Sequence, residues 1–140
     1  MTRPLTVLAC LACTALACTS ARQEAASLVA AIDRFHKAVN ADKPDRAKAI
    51  SLVSCTDAEV CQAKKLCEAA AGATAQALIL KAEVEARLAD LEKGALSRSD
   101  GVVRALPAKL DEAERRLGEG HEAMPACDQK ILALRARYDL

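Results

Sequence analysis

The sequence predicts an all-α protein: an antiparallel helical hairpin packed with one or two shorter helices into a three- or four-helix bundle, stapled by disulfides. Composition is the first observation behind this. Of 140 residues, 52% are hydrophobic but only 1% aromatic, with Phe35 and Tyr138 the sole rings and no Trp. Much of the apolar content is alanine, the strongest helix former, while β-branched and aromatic strand formers are scarce. The second observation is periodicity, because apolar residues recur three and four apart through long stretches. The third is punctuation: a helix-start signal at 56–59 and a turn region at 97–101 delimit two stretches long enough to pair along their length. A chain of this size supplies one domain able to bury a core of its own.

The first element is a leader over residues 1–17. Met1 to Pro4 carry one positive charge, Leu5 to Ala17 are apolar or small, and Ala15-Leu16-Ala17 precedes Cys18. The run is too short to span a bilayer and has the shape of a signal peptide. Ala15-x-Ala17 also fits ordinary signal-peptide cleavage, so simple secretion is the competing route. The stretch Thr14-Ala15-Leu16-Ala17-Cys18 resembles the lipobox of bacterial lipoproteins, with Ala15 in place of the favoured Leu. That resemblance covers the leader alone. It implies that Cys18 is acylated, that 18–23 form a lipidated tether, and that 24–140 form the bundle domain. Each buried methylene is worth about 0.8 kcal/mol, so several acyl chains anchor a terminus stably where one does not. Thr19 follows the cysteine, where Asp in enterobacterial lipoproteins favours inner-membrane retention. The resemblance therefore implies the outer membrane, facing the periplasm or the cell surface. Cys10 and Cys13 would leave with the leader.

The helices follow in order. From about Ser20, Ala25, Leu28, Ile32, Phe35 and Val39 form one apolar stripe. Asn40 to Pro44 interrupts it; Asp42 is a cap candidate and Pro44 is tolerated in a first turn, so a short helix runs to about Val53 with Ala47, Ile50 and Val53 inward. Thr56-Asp57-Ala58-Glu59 is a capping box, with Cys55 and Val60 as its hydrophobic staple. The helix it opens has a seam of Leu66, Ala70, Ala73, Ala77, Leu80, Val84, Leu88 and Leu91, and Gly94 is placed to cap its end. After the turn, Leu106, Leu110, Ala113, Leu117, Gly120, Met124, Cys127, Ile131, Leu134 and Tyr138 hold one register. Gly118, Gly120 and Pro125 weaken its middle, so a kink or short break is expected near 118–126. The two long helices must then run antiparallel, and the shorter helices are expected to cover Leu78, Ile79 and Val102.

Export places the mature chain where thiols oxidise, and Cys55, Cys61, Cys67 and Cys127 remain once Cys18 carries lipid. Cys61 and Cys67 are six residues apart on one helix, roughly 9 Å along its axis. A disulfide needs Cα atoms within about 7 Å, which excludes that pair and the longer Cys55 to Cys67. Cys67 is left to reach Cys127, which an antiparallel hairpin places opposite it, and Cys55 to close onto Cys61. The Cys-x5-Cys-x5-Cys spacing lacks the close pairs of structural zinc sites, so no metal is expected.

Little else points to chemistry. Lys and Arg number 20 and Asp and Glu 19; loss of Arg3 with the leader leaves 19 against 19, interleaved along every helix. Nucleic-acid binding needs basic residues gathered on one face and is not expected. His36 and His121 lie on separate segments with no nucleophile or metal motif near them. Glu83 with Arg87 and Glu112 with Arg116 read as i,i+4 surface pairs. Gly118-Glu119-Gly120 follows no strand and precedes no Lys-Ser or Lys-Thr, so it is no phosphate loop. Neither enzyme activity nor a cofactor is expected. The expectation is a membrane-anchored envelope lipoprotein in a structural, adaptor or accessory role, meeting an envelope protein partner. The alternative is an envelope carrier of a small apolar ligand held between helices.

Overall fold

The computed structural model describes the backbone of residues 10–140 and the side chains from Ser20 onward. Of the expected leader, residues 1–9 lie outside the described residues, as does the side chain of Cys18. Among the described residues five helices follow one another: α1 (Cys10–Lys37), α2 (Lys43–Ser51), α3 (Ala58–Glu92), the single turn α4 (Gly101–Arg104) and α5 (Leu106–Tyr138). The chain is an antiparallel hairpin of α3 and α5 with α1 and α2 packed on one face of one half of it, an all-α, disulfide-stapled bundle.

The first helix begins earlier than its stripe, at Cys10, and ends sooner, at Lys37. Ala25, Leu28, Ile32 and Phe35 are buried to within 1% of full burial, but Val39, the expected end of the stripe, is 65% exposed. It lies beyond the helix, in a turn where its carbonyl accepts the amides of Asp42 and Lys43. The helical phase that would have turned it inward has already ended. Asp42 does occupy the N-cap of α2, although its carboxylate makes no capping bond, and Pro44 sits in the first turn. Ala47 and Ile50 then enter the core.

The capping box ahead of α3 is displaced by one residue. Asp57, not Thr56, is the N-cap, and its Oδ1 accepts the amides of Glu59 at 3.0 Å and Val60 at 3.1 Å. A capping-box glutamate would accept the N-cap amide from within the same helix. Here Glu24 of α1 does so instead. Its Oε2 accepts the amides of Thr56 at 2.7 Å and Asp57 at 3.2 Å, and its Oε1 the Thr56 hydroxyl at 2.7 Å. Glu59, released from that task, pairs with Arg137 near the end of α5. At the other end of α3, Gly94 takes the left-handed conformation at φ 74°. The Ala95 amide reaches Asp90 O at 2.9 Å and the Gly94 amide Leu91 O at 3.1 Å, the two bonds of a Schellman cap.

Small residues let α3 and α5 approach closely. Gly120 lies against α3, where a Cβ would overlap Thr74 Oγ1 and come within 3.0 Å of Ala70 O and Thr74 N. No break occurs at 118–126; α5 runs unbroken from Leu106 to Tyr138 with Pro125 inside it. Proline removes the amide that would bond the carbonyl of His121, but both residues face solvent, where water can take that carbonyl. Gly120 seated on α3 and Cys127 bonded to it hold the register from either side. The core proper, from Phe35, Leu28, Ile32, Ile50 and Val60 to Cys67, Cys127 and Ile131, fills the half of the hairpin that α1 and α2 cover. Each large side chain fully buried there contributes roughly 1.5–3 kcal/mol.

Coverage then stops. Ile79 is 54% and Val102 47% exposed, against the expectation that the short helices would reach them. Leu78 is only half-buried. His36, near the end of α1, faces Asp128 of α5, and α2 then turns the chain back toward the start of α3.

Candidate functional site

Two regions differ from an ordinary solvated helical surface: the base of the bundle, where the N-terminus arrives, and the uncovered far half of the hairpin. At the base the chain is fastened several times within a few residues. Arg22 donates from Nε to Tyr138 O at 3.0 Å and from Nη2 to Asp139 O at 3.2 Å, closing the C-terminal end of α5. Glu24 holds the start of α3 as described. The hydrogen bond from the Thr56 amide, more than any other cause, holds its carboxyl below the usual carboxylate range, with the Thr56 hydroxyl and Asp57 amide adding to it. Cys55 and Cys61 are joined with their Cα atoms 5.3 Å apart, and Cys67 and Cys127 with theirs 4.7 Å apart, the pairing that the helical spacing requires. About three turns farther along α1 than Arg22, Asp33 takes Arg135 Nη2 across both its oxygens, at 2.6 and 2.8 Å. Cys18 falls within the backbone span of α1, just before this cluster.

The far half of the hairpin is built differently. Ala77, Val84, Leu106 and Ala113 are buried between α3 and α5, but Leu110 and Leu117, expected in the seam, are 41% and 50% exposed. Together with Ala77, Leu78 and Ala113 they line an open apolar groove of about 260 Å³, flanked by Lys81 on α3 and Glu114 on α5. Leu88, also expected in the seam, is 43% exposed. Two helices alone cannot surround a seam of side chains this wide, so its flank stays in water. Cross-hairpin pairing fixes the register: Glu83 binds Lys109 of α5 and not Arg87, its expected i,i+4 partner, and Arg87 turns instead to Asp90 at 3.4 Å. The Lys109 hydrogen bond is the main cause holding the Glu83 carboxyl below its ordinary range.

The remaining candidates do not gather. His36 Nε2 lies 3.5 Å from Asp128 Oδ1 with both side chains substantially exposed, and the exposed His121 stands elsewhere on α5. Glu112 does pair with Arg116, at 2.8 Å, and also with Arg115, whose hydrogen bond is the main cause of a carboxyl pushed down to about 2. These are solvent-exposed helical pairs. Among the described residues no three His, Cys, Asp or Glu side chains are grouped to hold a metal ion, and no helix is long and apolar enough to cross a membrane. The uncovered flank was missed by sequence reasoning, which assigned α1 and α2 to it. The signal was length: α2 has nine residues, too few to follow a 35-residue partner. No protein-family model matches the chain, and no curated protein or solved structure matches it either.

Proposed function

We propose that this chain is an envelope lipoprotein, acylated at Cys18 and held on a membrane, the outer membrane by preference, whose bundle binds other protein through the uncovered half of its hairpin. The role is structural, adaptor or accessory. The observation that carries the binding half of this reading is the apolar flank of Leu78, Leu110 and Leu117, left open on the uncovered half of the hairpin. Large contiguous apolar patches on a protein surface mark interaction sites. The anchoring half rests on the lipobox-like stretch ending at Cys18. The fastened base suits an anchored protein, since it ties the arriving N-terminus to both long helices. A small-ligand carrier is the weaker reading, because the groove is open to solvent and smaller than the roughly 300–1,000 Å³ of ordinary ligand pockets.

Labelled palmitate tests the anchor. Incorporation is expected in the intact chain and lost in C18A; no incorporation, or undiminished incorporation in C18A, refutes acylation at that residue. Affinity capture from membranes tests the surface. Specific protein recovered with the wild-type chain should disappear with L110Q/L117Q, and recovery unaffected by that pair refutes the assignment.

A further inference from the structure

We propose that the occupant of the uncovered hairpin flank is a second copy of this chain, docked antiparallel about a two-fold axis at the level of Glu83 and Leu110. The inference rests on reading that flank as the interaction surface. An isologous interface must be self-complementary, so a patch that serves one has to match its own image reversed end to end. At 100° per residue, Leu78, Lys81, Glu85 and Leu88 fall within an arc of about 80° on α3. Opposite charges stand two residues to either side of position 83, and leucines five residues to either side. An antiparallel copy centred there sets each Lys81 against Glu85 of the other copy and each Leu78 against Leu88. Lys81 and Glu85 pair with each other at 3.8 Å, with side chains 61% and 65% exposed, and among the described residues neither has a second ion-pair partner, which leaves both able to form the second contact.

The second helix agrees. The Lys109–Glu83 pair puts Leu110 at the same level, so Leu110 lies on the axis against its own image. Leu117, seven residues one way, falls opposite Val103 of the short α4, seven residues the other way. Sterics choose the direction. Leu78 extends by sevens and a four the row Val60, Cys67, Ala71, the face that α1 and α2 cover, and full burial on that face ends at Ala75. A parallel copy would drive the two α1–α2 pairs into each other. An antiparallel copy brings each hairpin tip up to the end of the other copy's α1–α2 pair. The facing area is modest: about 16 residues of α3 and of the α4–α5 run, some 24 Å long and about 20 Å wide across the pair, or roughly 1,000 Å² counting both copies. That lies in the range of weak, transient interfaces, so the association is expected to be reversible and concentration-dependent.

The test uses the full gene product as processed by the cell, extracted in mild detergent and followed by light scattering across concentration. A monomer–dimer equilibrium is expected. K81E sets like charges against each other twice per dimer and should raise the dissociation constant about tenfold or more, and K81E/E85K should restore it to within about threefold. In cells, L110C should give a disulfide-linked homodimer while L132C, an exposed leucine far from the axis, should not. The charge swap adds no thiol, so it stands even where L110C disturbs the native disulfides. A chain that stays monomeric to about 1 mM, a dimer indifferent to K81E, or an L110C adduct formed solely with a different protein overturns the inference. If capture from membranes still depends on Leu110 and Leu117 in those cases, the interaction surface survives and only its occupant was wrong.

Discussion

Removing the disulfide between Cys67 and Cys127 should destabilise this bundle about twice as much as removing the one between Cys55 and Cys61. The difference comes from loop length. The first bond closes a sequence separation of 60 and the second a separation of 6. Loop-closure entropy then assigns about 4 kcal/mol to the long loop and about 2 kcal/mol to the short one. Packing adds to the contrast, because Cys67 and Cys127 are fully buried in the core whereas Cys55 is only partly buried at its edge. C67A/C127A therefore carries a cavity penalty that C55A/C61A mostly escapes. For a domain of this size 4 kcal/mol corresponds to a fall in Tm of roughly 12–20 °C. Urea unfolding of the C18A background, followed by far-ultraviolet circular dichroism, measures both variants beside the parent. The fully reduced parent separates the two contributions, since it loses the cross-link and keeps the sulfur volume. Equal losses for the two variants, or a loss under about 1 kcal/mol for C67A/C127A, would refute the reasoning.

Other substitutions probe the same physics at single residues. G120A should destabilise by roughly 1–3 kcal/mol through overpacking against Thr74 and the Ala70 carbonyl, whereas G72A, whose Cβ meets nothing within 4 Å, should stabilise α3 by about 0.5–1 kcal/mol. Chemical denaturation of both reads the opposite signs, and two losses would contradict the close approach at Gly120. F35A should cost about 3–5 kcal/mol and V39A under about 0.5 kcal/mol, since the first is buried and the second exposed. The Glu24 carboxyl is held below its ordinary range in the fold, so its contribution is complete above the unfolded value near 4.5 and fades as pH falls through the lowered folded value. The Tm difference between the parent and E24Q should accordingly be largest near neutral pH and shrink below about pH 4; a difference that grows on acidification would reverse the sign.

The long-range architecture was legible because it is written in repeats. Ala113, Gly120, Cys127, Ile131 and Leu134 recur at helical spacing, and each is buried where that spacing puts it. The cysteines were legible for a related reason: a rigid helix forbids most pairings, so few remained to consider. What escaped were choices between neighbours. Thr56 and Asp57 are both good N-caps, and only the arrival of Glu24 from 32 residues away decides between them. Arg87 and Lys109 both lie within reach of Glu83 in principle, and the cross-hairpin partner wins. Leu110 and Leu117 show the limit of periodicity itself. A stripe says which face of a helix is apolar, but not whether the chain has a further element to cover it.

The fastening at the base has a mechanical consequence. Tension applied at the N-terminus enters the bundle through α1 and meets Arg22 and Glu24 almost at once, the first gripping the end of α5 and the second the start of α3. Both grips act before the pull reaches Phe35 or the core, and the short disulfide loop lies beside the second. Load is thus shared between the two long helices at their common end, and little of it travels toward the hairpin tip. The far flank keeps its shape while the near end bears the strain.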